Sequence, residues 1–403
     1  MGCFVVMSLA ACAPNPETAR QRALNTRLDS LVEKGLSEKA YAGAVLLVAC
    51  RGEVIHEKAY GYGRKYSFDH IPLKRLEPMT VDTLFDVASM TKPFATTYGI
   101  MLLVDRGQIE LDAPLSRYIP LFDRGGKRDI TIRHLLCHRA GLYPWKPVYY
   151  HAADRKGAAS YIASLPLKCP VGAEYHYSDL GFMILGYVIE SVSGMPLDRY
   201  LSENLYAPLG LKRTLFRPLE RGFTGIAATS QGNPFEQRMV TDDTFGYTCD
   251  EEADAFRGWR RYILKGEVND GNSFYACRGI AGHAGLFSTA ADLRVLAEVL
   301  IGRGRYRERA IISPETVDTF ITPDEFGNGL GWSLQPQVIK AQGAPAGTFG
   351  HTGFTGCNVF VMPEREIIVI FLTNRQHEGL TESGRYPDLN DLRREIAQTV
   401  LEF

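Results

Sequence analysis

The sequence predicts a mixed α/β chain, α+β in its segregation of elements. An antiparallel sheet from both chain ends is flanked by helices, and a helix-rich lobe is inserted between its two halves. Three observations carry this expectation. Strand patterns cluster at residues 43–63 and return after about 328. The stretch between, about 90–300, is dominated by helical periodicity. Short turns link the strand runs, which makes neighbours antiparallel.

In chain order, residues 17–36 read as an amphipathic helix with Leu24, Leu28, Leu31 and Val32 on one face. The runs GAVLLVAC (43–50) and EVIHEKAYGYG (53–63) flank Arg51-Gly52, a strand–turn–strand signal. TLFDVAS (83–89) is a third extended run. Helices are expected at 93–106, 131–138, 179–194 and 292–304, the last stopping at glycines. Strands follow at 329–336, 347–354, 357–363 and 366–375, with Pro363-Glu364-Arg365 as a tight turn. Residues 389–403 close the chain as an amphipathic helix, and the charged stretch 250–272 reads as a surface excursion.

With 403 residues, 45% of them apolar, the chain can bury a large core. A formal charge of −1 leaves no electrostatic footprint for nucleic acid. The apolar run in MGCFVVMSLAAC is too short to span a bilayer. Leu9-Ala10-Ala11-Cys12 resembles the lipobox of bacterial lipoprotein signals, without the usual basic n-region. The resemblance implies cleavage before Cys12 and a membrane-anchoring lipid on its sulfur. It divides the chain into a signal (1–11), a tether (12–24) and a folded domain (25–403). The implied location is the cell envelope, facing the periplasm, with the outer membrane favoured over the inner. Cys50, Cys137, Cys169, Cys249, Cys277 and Cys357 form no C-x-x-C pair, so no metal site is expected, and most should be free and buried.

The chemistry is concentrated in DVASMTKPF (86–94). Ser89 and Lys92 share a helix face at a strand-to-helix junction. A serine hydroxyl needs a base within hydrogen-bond reach. Burial would lower the pKa of Lys92 enough for it to take the proton. The Ser89 amide, at a helix start, could serve an oxyanion. Pro93 should kink the helix. S-x-x-K alone is weak, but it occurs once in this chain. Two further signals accompany it: Tyr177-Ser178-Asp179 before an apolar helix, and His351-Thr352-Gly353 on a strand.

That order and spacing resembles the active-site serine penicillin-recognising enzymes, within them the class C β-lactamase and D-alanyl-D-alanine carboxypeptidase superfamily. The block YSDLGFMILGYVIESVSGMPLDRY is especially similar to periplasmic penicillin-binding proteins of the carboxypeptidase kind. The resemblance implies a β-lactamase/transpeptidase-like fold, with a sheet lobe at about 25–89 and 328–403 and a helical lobe at about 90–327. It implies Ser89 as acylated nucleophile, Lys92 as proton acceptor or relay, and Tyr177 as a second acid–base, its pKa lowered by Lys92. The N–H groups of Ser89 and Phe354 would form an oxyanion hole. Thr352 would bind a substrate carboxylate, and Gly353 would let substrate backbone lie against the strand. Asp179 stands where asparagine is usual and would hold Lys92 charged. His351 stands where lysine is usual, so carboxylate recognition should be weaker and pH-dependent.

The expected activity is a cofactor-free serine hydrolase working through a Ser89 acyl-enzyme on D-Ala-D-Ala cell-wall peptides. A serine esterase or weak β-lactamase at the same site is the alternative, and a non-catalytic penicillin-recognising sensor the second. Among other residues, His134 and His138 read as packing rather than metal ligands, and His283 as a structural loop residue. Trp145, Tyr149 and Tyr150 read equally as substrate contacts or as an aromatic cluster, and Arg375 as a solvated strand end.

Overall fold

The computed structural model describes residues 18–247, 249–324, 327–334 and 341–403. The lipobox cysteine, Cys12, lies outside them, as do positions 335 and 336 of one expected strand. Among the described residues no single helix is long and apolar enough to cross a membrane.

Among the described residues, seven strands form one antiparallel sheet. They are β1 (Gly43–Cys50), β2 (Glu53–Tyr66), β3 (Pro72–Pro78), β4 (Ser333–Leu334), β5 (Phe349–Thr352), β6 (Asn358–Met362) and β7 (Ile367–Thr373). Their order across the sheet is β4-β5-β6-β7-β1-β2-β3, so the two chain ends meet at the β7–β1 pair. Leu47 opposes Ile370 there. Successive side chains on a strand point to opposite faces. Val45, Leu47, Ile368 and Ile370 enter one core, while Leu46, Val48, Val369 and Phe371 enter the other. Both faces are covered, which explains why these strands read as unbroken apolar runs rather than alternating ones.

The terminal helices cover one face. Helix α1 (Ala19–Ser37) buries Leu24, Leu28 and Val32. The last helix, α5 (Asn390–Leu401), buries Ile396, Ala397 and Val400 in the same core. The opposite face carries α2 (Tyr98–Asp105), α3 (Asp179–Ser193) and α4 (Ala290–Ile301). Thr289 caps α4 by accepting the Asp292 N–H, and Ser178 caps α3 by accepting that of Gly181.

Two elements differ from expectation. β3 lies at the sheet edge with prolines at both ends, where a missing N–H costs no ladder bond. The run 83–89 contributes only Phe85–Asp86, in a separate three-stranded sheet with Leu286–Ser288 and Leu215–Phe216. From Asp86 the chain turns immediately into the Ser89 segment.

Candidate active site

Asp86 sets the turn that carries Ser89. Its Oδ1 accepts the Ala88 N–H (2.9 Å) and its Oδ2 the Asn269 N–H (2.7 Å). Ala88 is held at φ 47°, an uncommon conformation for a residue with a Cβ. Burial pushes the Asp86 carboxyl up to about 6. The Ala88 carbonyl accepts the Thr91 N–H. In a trans peptide N–H and C=O point oppositely, so the Ser89 N–H faces away from the helix. The next turn, Lys92–Thr97, is π-helical and holds Pro93 among its first residues. A proline there sacrifices no helical bond, so the expected kink becomes a compatible start.

Lys92 is fully buried. Its Nζ donates to Asp179 Oδ1 (2.6 Å), Ser89 Oγ (3.1 Å) and the His283 carbonyl (3.3 Å). It also stands 4.7 Å from the centroid of the Tyr177 ring. Burial pulls its pKa down, but the Asp179 carboxylate and Tyr177 outweigh burial, and the net shift is upward. The expectation of a lowered lysine is therefore corrected: Asp179 keeps the ammonium charged. Tyr177 is corrected in the same sense. Burial raises its pKa, and the Lys92 charge beside its ring offsets only part of that rise. At neutral pH both groups hold their protons.

His138 positions Tyr177. Its Nδ1 accepts the Ser178 N–H (2.9 Å), and its ring lies over that of Tyr177 at 4.4 Å. Burial and the nearby Lys92 charge keep it neutral. His134 serves the Thr131 capping box instead, so the pair does not converge on a metal.

The third motif holds one correction, at His351, and a second role for Gly353. His351 Nδ1 donates to the Thr352 carbonyl (2.8 Å), which leaves Nε2 a lone pair. Burial and then Lys92 lower its pKa to about 4, so the imidazole is uncharged throughout the neutral range. A Cβ on Gly353 would overlap the Val87 carbonyl oxygen. The missing side chain thus serves the chain's own Ser89 segment, whatever it does for a substrate. The Gly353 carbonyl accepts the Gly356 N–H (2.9 Å), turning the Phe354 N–H outward from that tight loop.

Ser89, Tyr177 and Phe354 border two cavities. On one side lie Thr352, Arg375, Asn390 and Arg393. Arg375 is no solvated strand end: it grips the Phe354 carbonyl through Nε (3.2 Å) and Nη2 (2.7 Å), and the Pro387 carbonyl through Nη1 (3.0 Å). Arg393 donates to Asn358 Oδ1 (3.1 Å) and the Gly356 carbonyl (3.0 Å); burial and the neighbouring Arg375 lower its pKa to about 10. The other cavity, about 210 Å³, is lined by Trp145, Asn233, Glu236, Tyr247 and Asp270 among others. Tyr149 and Tyr150 instead pack on Phe256. His283 is a site neighbour, its Nε2 2.8 Å from Asp270 Oδ1. The stretch 250–272 is no mere excursion, because Asn269 and Asp270 form a wall of the site. The sequence offered no short-range signal for Glu236, Asp270 or Arg393, since none stands in a motif with a recognised partner.

Comparison with known proteins gives a consistent picture. The family model described as Beta-lactamase matches residues 28–392. The chain is 32% identical, over 93% of its length and 86% of the relative's, to "N-acetylmuramyl-L-alanine amidase" of Bacillus subtilis (strain 168). It is 31% identical, over 87% of its length and 82% of the relative's, to "Putative D-alanyl-D-alanine carboxypeptidase" of Escherichia coli (strain K12). Among solved structures, "EstCE1, a hydrolase with promiscuous acyltransferase activity" shares the fold at a TM-score of 0.69 and 22% identity, covering 95% of this chain and 100% of that one.

Proposed function

The chain belongs to the beta-lactamase family, and from that premise we propose that it is a serine amidohydrolase of the bacterial envelope. It forms an acyl-enzyme through Ser89 on cell-wall peptides, with D-Ala-D-Ala carboxypeptidation as the leading reaction. One observation carries this reading: Lys92 Nζ donates to both Ser89 Oγ and Asp179 and stands 4.7 Å from the Tyr177 ring centroid, at the junction of two cavities.

The protonation states favour a relay over a free base. Lys92 Nζ passes a proton through the Tyr177 hydroxyl to the scissile nitrogen as Ser89 Oγ bonds to the carbonyl carbon, and the Ser89 proton fills the place vacated on Nζ in the same step. The C–N bond then breaks and the amine leaves. Lys92 ends as it began, an ammonium paired with Asp179, which suits a lysine of raised pKa. The Ser89 and Phe354 N–H groups stabilise the oxyanion. Water then attacks the ester by the reverse relay. Thr352, backed by the charges of Arg375 and Arg393, receives a terminal carboxylate.

A second reading draws on His351. An uncharged third motif suits an amide with no free carboxylate beside the scissile bond. The N-acetylmuramyl-L-alanine linkage named for the Bacillus relative is such a bond. An esterase or weak β-lactamase would use the same residues, and a sensor would acylate without turnover.

The test is intact-protein mass spectrometry with benzylpenicillin, followed by product analysis on a D-Ala-D-Ala peptide and a muramyl-L-alanine peptide. A covalent adduct absent from Ser89→Ala is expected, with release of D-alanine. Cleavage of the muramyl amide alone selects the second reading. No adduct and no turnover of either peptide refutes both. The lipid anchor is proposed at Cys12: Cys12→Ser should move the protein from the membrane to the soluble fraction, and unchanged fractionation would remove the anchor.

A further inference from the structure

We propose that the cavity beside Glu236 binds a primary ammonium carried by the acyl part of the substrate, such as the side chain of a diamino acid. This deepens the serine-hydrolase reading and rests on it for the word "acyl"; the binding itself does not. Three carboxyl groups line this cavity, Asp179, Glu236 and Asp270, and Asp86 lies close enough behind them to feel the charge of Asp270. Among the described residues, the lysine and arginine facing them are Lys92 and Arg260. Lys92 is committed to Asp179 at 2.6 Å. Arg260 gives its donors to the Val268 and Asn269 carbonyls (2.7 Å each) and to Asn233 Oδ1 (3.1 Å). Asp270 Oδ1 holds His283 Nε2 (2.8 Å) and the Ser273 N–H (2.7 Å), while 22% of its side chain remains open.

Glu236 is the decisive group. It is only 9% exposed. Its Oε2 accepts the Gly271 N–H (3.0 Å) and Asn233 Nδ2 (3.1 Å), but its buried Oε1 has no hydrogen-bond partner. The Tyr149 hydroxyl approaches this carboxyl without itself forming a well-made bond. A Cβ on Gly271 would overlap both carboxyl oxygens, so the backbone is shaped to seat them. Leaving a buried polar atom unmatched costs free energy unless something else supplies its partner.

The charge balance says which partner. Burial and repulsion from Asp270 push Glu236 up to about 8. Without a ligand Glu236 therefore keeps its proton at neutral pH; an ammonium can take the place of that proton and relieve the repulsion, whereas an anion adds to it and a neutral group leaves it. Trp145 and Tyr247, rings 5.7 Å apart, supply aromatic faces that also attract an ammonium. A divalent metal fits less well. It asks for about six oxygens, and Glu236 Oε2 and Asp270 Oδ1 are already taken up by N–H donors.

The test uses the full chain and two stages. Calorimetry compares n-hexylammonium with n-hexanol at neutral pH, with chelator present. The ammonium should bind at least about tenfold more tightly, a difference of about 1.4 kcal/mol, and Glu236→Gln and Asp270→Asn should each shrink that preference. Equal binding of the two probes, or a preference unchanged in both variants, overturns the proposal. This stage needs no chemistry at Ser89, so it stands apart from failure of the acyl-enzyme reading. The second stage measures kcat/KM for p-nitrophenyl esters whose acyl chains end in ammonium or hydroxyl. The ratio is internal to each protein, so partial misfolding of a variant cancels. A wild-type ratio well above one that falls in Glu236→Gln supports the proposal; a ratio of one or below in the wild type overturns it.

Discussion

Lys92 Nζ lies 2.6 Å from Asp179 Oδ1, an ion pair between positions 87 residues apart. It fastens the Ser89 segment to the start of helix α3 and fixes the charge of the lysine. Burial alone would have made Lys92 a neutral base. The carboxylate reverses that, and the proton inventory of the site follows from it.

Asp179→Asn removes the counter-charge but leaves the burial. The Lys92 pKa should then fall, and the alkaline loss of acylation, as the ammonium the relay needs gives up its proton, should move to lower pH. A pH–rate profile of penicillin acylation checks this. An unmoved profile would mean that Lys92 is not the titrating group.

Ser89→Ala removes the proposed attacking oxygen while leaving Lys92 paired with Asp179. Turnover should drop by about a thousandfold or more, with no mass adduct. Melting temperature should change little, because the deleted hydroxyl faces the cleft.

His351 stays uncharged well below neutrality, since its pKa is about 4. The ratio of acylation by a carboxylate-bearing lactam to that by a neutral ester should therefore be flat between about pH 5 and 8. A step in that ratio near pH 6 to 7 would show an imidazolium taking part. Wild-type protein with two substrates suffices for the measurement.

Gly353→Ala sets a methyl group against the Val87 carbonyl. The strand or the Ser89 turn must shift. A loss of about 1–3 kcal/mol in unfolding free energy is expected, with a larger proportional loss of activity. Urea titration beside an acylation assay separates the two effects.

Glu236 gives a pH signature in stability. Its folded pKa of about 8 exceeds the unfolded carboxyl value near 4.5. Between those values the native state binds more protons than the unfolded one, so this group lowers stability as pH rises. Gln cannot titrate. Relative to wild type, Glu236→Gln should thus gain melting temperature from about pH 5 to 8. A difference constant across that window would place the Glu236 pKa near its ordinary value.

Much of the sheet was legible in the chain. The apolar runs of β1 and β7 and the turns at Arg51-Gly52 and Pro363-Glu364-Arg365 indicated hairpins that the structure contains. β3 was not legible, because proline-flanked polar residues at an edge carry no apolar pattern. Ser89, Lys92, Tyr177 and Asp179 were readable because short motifs at helix starts leave a local signature. Glu236, Asp270, Asn390 and Arg393 were not, since each enters the site from an element with no motif of its own.

The sequence by itself determined which residue types stand around Ser89, where most helices and strands lie, and which neighbouring strands form hairpins. Those properties follow from periodicity, turn chemistry and local spacing, all short-range along the chain; the pairing of strands from the two chain ends was an expectation that the tertiary structure bears out. Only the tertiary structure decided that Lys92 and Tyr177 hold their protons, that His351 does not, and that carboxyl groups gather beside Ser89. Protonation is set by the competition between burial and neighbouring charge, and both depend on residues far apart in the chain brought within a few ångströms.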